Sequence, residues 1–225
     1  SDPDGRSRWG EAVLQQPLAD NAAILADSEK FPPLYYWQQV DNRRPDLDIL
    51  VLPDEAAYRA ELDGRLAADQ PVYLARFLPG LEGIYHLRSQ GPLTEVSQQP
   101  LTHLPDGVME SAVSFGNLTL IGVQTEAEAS MAAGQTAVTL FWQAAAPSER
   151  PDYVYVRLAG GEPEVPTGQH PAGNSYPTVA WKGEEIVPDF HLLTPPLGAA
   201  GETAVEVAVG PPFTAADDLT WQTVT

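Results

Sequence analysis

The chain has 225 residues, 43% of them hydrophobic, which is enough apolar mass for one large core or two small ones and excludes disorder throughout. Lys and Arg number 12 against 31 Asp and Glu, a formal net charge of -19 that repels nucleic-acid phosphates and anionic membrane surfaces. Cysteine is absent, so disulfides, thiolate nucleophiles and Cys-ligated zinc are excluded, while the redox compartment stays open.

No stretch approaches the roughly 20 apolar residues that a membrane helix needs, and the opening SDPDGRSRWGEA lacks the apolar core of a secretory signal. The expectation is a soluble piece excised from a longer protein. A first helix is expected over residues 9–18. Residues 22–27 (AAILAD) read as a strand, 32–40 as a proline-opened amphipathic helix, and 48–52 (DILVL) as a second strand. Asp54 is placed to cap a helix over EAAYRAELDGRLAA, where Ala57, Leu62 and Leu66 recur at near-helical spacing. After a break at Asp69, PVYLARF reads as a third strand, and residues 84–88 and 93–96 as edge strands. This alternation predicts a small Rossmann-like three-layer α/β domain over residues 1–96, its sheet parallel and flanked by helices. Tyr35, Tyr36 and Trp37 crowd one helix, and at least two of them are expected on the sheet, with the remainder at the domain interface.

Residues 97–116 lose both periodicities and carry Pro, Gly and polar side chains, as a linker should. From 117 to 225 the texture changes to short strand-like segments: LTLIGVQ, AVTLFWQ, YVYVRLA, EIVPDFHLL, AVEVAVG and LTWQTV, separated by turn residues. Six or more such strands with no convincing helix between them predict an antiparallel β-sandwich, Ig-like or jelly-roll-like. In AVTLFWQ, Val138, Leu140 and Trp142 fall on one face and Thr139 and Phe141 on the other, so that sheet is expected to be covered on both sides. The fold class is therefore α/β plus all-β.

The stretch from 23 to 51, with ILADSEKFPPLYYWQQVDNRRPDLDILV, resembles the region just after the last membrane helix in large bacterial membrane proteins related to protein O-mannosyltransferases. LFWQA (140–144), YPTVAW (176–181) and GEEIVPDFHLL (183–193) are similar to the β-sandwich tail of such membrane glycosyltransferase-like proteins. The loop between YVYVRLA and GQHPAGNSYPT departs from the pattern by lacking an Asp-Gly hairpin. The resemblance implies an extracytoplasmic tail whose transferase chemistry belongs to a membrane-embedded part of the same polypeptide. Its implied partners are that membrane part and a glycan or glycoprotein acceptor.

The residues themselves offer few alternatives. Asp27, Ser28, Glu29 and Lys30 sit at the carboxyl end of the first strand, where open α/β sheets bind ligands. No glycine occurs in that turn and no GxGxxG or GxxxxGK[ST] exists, so nucleotide binding competes poorly with capping of the next helix by Asp27 and Ser28. Asp27, Glu29 and Asp54 supply oxygens suited to a divalent cation, against a plain solvated turn in an acidic protein. Among 31 acids nothing selects a carboxylate pair for glycoside hydrolysis. His86, His103, His170 and His191 form no HxxxH or HExxH arrangement, and Ser114 and Ser175 lie in no GxSxG elbow. No metal, cofactor or catalytic centre is expected. The sequon at Asn117 falls at a strand start in an Ala- and Pro-rich, Lys-poor chain of bacterial texture, and is uninformative. The remaining candidate is a sugar-stacking surface, with Tyr176 and Trp181 flanking a turn beside His170, Asn174 and Asp189. Its structural counterpart is Trp181 anchoring the loop while Asp189 accepts turn hydrogen bonds.

Overall fold

The computed structural model describes residues 3–126, 134–198 and 203–225. Among these the fold is mixed α/β and mostly sheet, with twelve strands in three sheets, four α-helices and no closed barrel. The chain divides into two units, the first running to Gln99 and the second starting at Pro100.

The first unit begins with α1 (Pro3–Leu14), β1 (Ala23–Ala26), α2 (Phe31–Val40), β2 (Asp48–Leu50), α3 (Glu55–Ala67) and β3 (Val72–Ala75). A hairpin, β4 (His86–Gln90) and β5 (Leu93–Ser97), completes it. The sheet order is β2-β1-β3-β5-β4; β1 runs parallel to β2 and β3, and β5 is antiparallel to β3 and β4. All four residues of β1 are buried, as a central parallel strand covered on both faces requires. Ile24, Ala26, Ile49, Tyr73, Ala75 and Leu93 form one core with Val13, Leu14 and Leu34 of α1 and α2. The alternate set, Leu25, Val72, Leu74, Leu87 and Val96, is also buried, and α3 buries Tyr58, Leu62 and Leu66.

Local signals explain the helix starts. Asp54 caps α3 by accepting the Ala57 N–H at 2.8 Å, with Glu55 in the first turn and Arg65 in the last, as the helix dipole favours. Helix α2 opens on prolines in its first turn, where a missing N–H costs nothing. It buries Leu34, which rotates its neighbours outward: Tyr35 is 49% and Tyr36 51% exposed, and only Trp37 packs at the core margin. That corrects the expectation of two aromatic rings on the sheet. At Gly10, a Cβ would lie 2.8 Å from the Pro33 carbonyl, so glycine is what lets α1 approach α2.

The second unit holds β6 (Met109–Phe115), β7 (Leu118–Glu126), β8 (Thr136–Ala144), β9 (Tyr153–Leu158), a single turn α4 (Pro171–Asn174), β10 (Val187–Leu193), β11 (Val205–Gly210) and β12 (Gln222–Thr223). Two antiparallel sheets result, β10-β8-β7-β6 and β12-β11-β9. Both faces of β8 are buried: Val138, Leu140 and Trp142 on one side, Ala137 and Phe141 on the other. Strand β6 occupies residues that the loss of periodicity assigns to a linker. It is an edge strand with a register shift between Glu110 and Val113, and this bulge breaks the alternation by which strands are recognised.

Candidate functional site

The order β2-β1-β3 gathers the carboxyl ends of three parallel strands, the place where an α/β sheet offers a ligand crevice. At the end of β1 the backbone is closed to phosphate. The Asp27 carboxylate accepts the N–H groups of Glu29 (2.9 Å) and Lys30 (2.8 Å), and the Asp27 carbonyl takes the Phe31 N–H at 3.0 Å. Pro32 and Pro33 have no N–H to give. Every amide from Glu29 to Pro33 is therefore committed or absent, leaving no cradle for a phosphate. Asp27 is half-buried in this turn ahead of α2, whose N-cap Lys30 has no side-chain cap, so the expected capping by Asp27 and Ser28 is not formed; Ser28 and Glu29 are exposed. Tyr58 stitches the same edge, donating to the Ala26 carbonyl (2.5 Å) and accepting the Leu52 N–H (3.1 Å). Asp54 is spent as the cap of α3, and among the described residues no group of three or more His, Asp or Glu is placed to hold a metal ion.

In the second unit, the excursion between β9 and β10 folds into the interior. Tyr176 is 0% and Trp181 5% exposed, so neither presents a face on which a sugar could stack. Of the two readings this excludes the exposed aromatic surface and agrees with Trp181 anchoring the loop while Asp189 accepts a turn hydrogen bond. Their rings lie 6.1 Å apart, and the Trp181 indole N–H donates to the Tyr176 carbonyl at 3.1 Å. Tyr176 Oη donates to Glu185 Oε1 at 2.9 Å, and the Lys182 N–H reaches the same oxygen at 2.6 Å. Burial, reinforced by the Glu185 charge and this hydrogen bond, pushes the Tyr176 phenol far above its ordinary pKa. Exposed Asn174 returns its side-chain oxygen to the His170 N–H at 2.9 Å, and the His170 ring rests 4.4 Å from that of Tyr153.

The most concentrated chemistry lies beneath this excursion. Asp189 is 0% and His191 1% exposed. Two positions apart on β10, they point into the same core as Val187 and Leu193. The Asp189 carboxylate receives the Ala172 N–H at 2.9 Å through one oxygen; the other lies 2.7 Å from His191 Nε2 and accepts the Trp142 indole N–H at 3.4 Å. His191 Nδ1 lies 2.6 Å from Glu164 Oε2. Burial alone would lower the His191 pKa, but the charges and hydrogen bonds of Asp189 and Glu164 outweigh it and push it up to about 10. The ring is thus an imidazolium held between two carboxylates. With both nitrogens donating to carboxylates, it offers no lone pair to a metal or a substrate.

This triad also holds strained backbone. Ala172, Gly173 and Asn174 have φ of 55°, 63° and 64°, and Ala172, which has a Cβ, is kept left-handed by its hydrogen bond to Asp189. The structure thus brings together Tyr176 with Trp181 and Asp189 with Ala172, while Asp27, Ser28 and Glu29 belong to the other unit. Glu164 and His191 were not singled out by sequence reasoning. The signal for His191 was an acid and an imidazole at i and i+2 in the otherwise apolar VPDFHLL; Glu164, 27 residues upstream, gave none. Comparison of the chain with protein-family models, curated proteins and solved structures returned no match.

Proposed function

We propose that this chain is a noncatalytic, extracytoplasmic accessory region of a membrane glycosyltransferase-like protein. It serves glycan or acceptor recognition, or assembly, for chemistry carried by the membrane-embedded part of the same polypeptide. In this reading the first unit is a small Rossmann-like three-layer domain and the second a β-sandwich. The family assignment rests on the sequence resemblance.

The observation that best supports a noncatalytic role is the fate of the second unit's most reactive side chains. Asp189, His191, Glu185 and Tyr176 are each at most 3% exposed and are hydrogen-bonded to one another or to backbone. Groups so placed fix a core and turn nothing over. The closed phosphate cradle at the end of β1 supports the same reading for the first unit. Fractionation of the native host tests it, with an antibody against this chain as probe. Retention in the membrane pellet after a high-salt wash is expected. Quantitative release by salt would overturn membrane attachment, and glycosyl transfer or hydrolysis by the isolated chain would overturn the noncatalytic role.

A further inference from the structure

Beside the closed backbone cradle lies a pocket of about 220 Å³, lined by Gly5, Arg6, Trp9, Glu29, Lys30 and Pro33. Its charge runs against that of the whole chain. The chain carries -19, yet the described residues of the pocket lining carry two cations and one carboxylate. Five arginines of the first unit, Arg43, Arg44, Arg59, Arg65 and Arg88, each lie within 3.0 Å of a carboxylate oxygen, while Arg76 donates to the Phe77 carbonyl and lies over the Tyr58 ring. Among the described residues, Arg6 and Lys30 have no carboxylate partner, and Lys30 instead places its ammonium 4.6 Å from the centre of the Trp9 ring. A chain with so few cations has left two of them beside a cavity at the ligand-binding end of its parallel sheet.

From this arrangement we infer that the pocket binds a small hydroxylated monoanion of the sugar-acid class through side chains alone. Among the described lining residues the net charge is one, which favours a single negative charge over a pyrophosphate or a phosphate dianion. Arg6 and Lys30 supply the N–H donors that the proline-opened helix cannot, Glu29 accepts from hydroxyls, and Trp9 provides an apolar wall. Gly10 maintains the close α1–α2 crossing that shapes the wall, because any side chain there would collide with Pro33. The assignment narrows, and rests on, the glycan recognition proposed above.

The test is titration of the full chain with glucuronate, glucose, glucose 6-phosphate and acetate, followed by tryptophan fluorescence. Glucuronate should give a saturable change that Trp9→Phe abolishes and that glucose and acetate do not reproduce at the same concentrations. Arg6→Gln and Lys30→Gln should each weaken binding about tenfold or more, as expected for loss of one charge-assisted hydrogen bond. Both positions lie on the surface of the first unit, and an unchanged circular dichroism spectrum establishes that the variants are folded. No saturable response, equal binding of glucose, tighter binding of glucose 6-phosphate, or indifference to both substitutions would each overturn the site. None of these outcomes bears on membrane attachment, which fractionation reads separately.

Discussion

Replacing Asp189 by Asn removes one charge and almost no volume, so its effect isolates the buried Asp189–His191 pair. The carboxylate accepts from Ala172 through one oxygen and faces His191 and Trp142 through the other. An amide has a single oxygen. If it serves Ala172, the NH2 group confronts the Trp142 indole N–H and the His191 ring; if it is flipped, the strained Ala172 N–H is stranded. One buried donor without a partner costs about 1–3 kcal/mol, and breaking a buried ion pair by removing one member costs about 3–5 kcal/mol. His191 can relieve part of this by releasing its proton, which places the expected loss at about 3 kcal/mol against a typical domain stability of about 5–15 kcal/mol. Urea unfolding of the intact chain, with the Trp142 indole resonance marking the second unit, measures it. A loss below about 0.5 kcal/mol, the scale of an indifferent surface change, would refute the reasoning.

The same variant carries a pH signature. His191 binds its proton more tightly in the folded chain, with a pKa of about 10 against an ordinary 6.5. Its contribution to stability is therefore complete below pH 6.5 and is lost as pH rises toward 10. Unfolding midpoints of the second unit should fall across that window, and Asp189→Asn should flatten the fall. An identical alkaline slope in both proteins would contradict the assignment of the proton to the ring.

Three further outcomes follow from the packing. At Gly168, with φ of 68°, a Cβ would sit 2.6 Å from the buried Tyr155 ring, so Gly168→Ala should cost roughly 2–6 kcal/mol from strain plus overpacking. Gly183→Ala, at φ of 65° but with open space, should cost only about 1–2 kcal/mol, and equal losses in the two melts would refute the clash. Tyr58→Phe strands the Leu52 N–H and the Ala26 carbonyl, for about 1–3 kcal/mol, and should unprotect the Leu52 amide in hydrogen exchange. The Arg44 hydrogen bond holds the Asp46 carboxyl well below its ordinary 3.8, so its contribution is present above that pH and lost as pH falls below it. Asp46→Asn should flatten the acid limb of first-unit stability, and an unaltered acid titration curve would contradict the pairing.

The parallel strands and their helices were legible because each carried agreeing local signals. AILA is a wholly apolar run, and EAAYRAELDGRLA follows a capping Asp54 and buries Leu62 and Leu66 as expected, with Tyr58 rather than Ala57 completing the stripe. Strand β6 was hidden because an edge strand needs a partner on one side only, and its bulge scrambles the period of two. Tyr35 and Tyr36 misled because three adjacent aromatic residues on a helix cannot share one face. Trp181 and Tyr176 left two readings open for the opposite reason. A Pro- and Gly-rich stretch reads as exposed loop, yet this one turns inward because Asp189 and Glu185 satisfy its backbone from below. Such satisfaction comes from side chains distant in sequence, and no local pattern announces it.

The central claim is that this chain serves as part of a larger membrane polypeptide. Intact mass of the native product, captured from detergent-solubilised host membranes by an antibody to this chain, tests it most directly. A single polypeptide far heavier than 24.3 kDa, with apolar spans flanking this sequence in its peptide map, is the predicted result. A native product of about 24.3 kDa recovered free of membranes would contradict it.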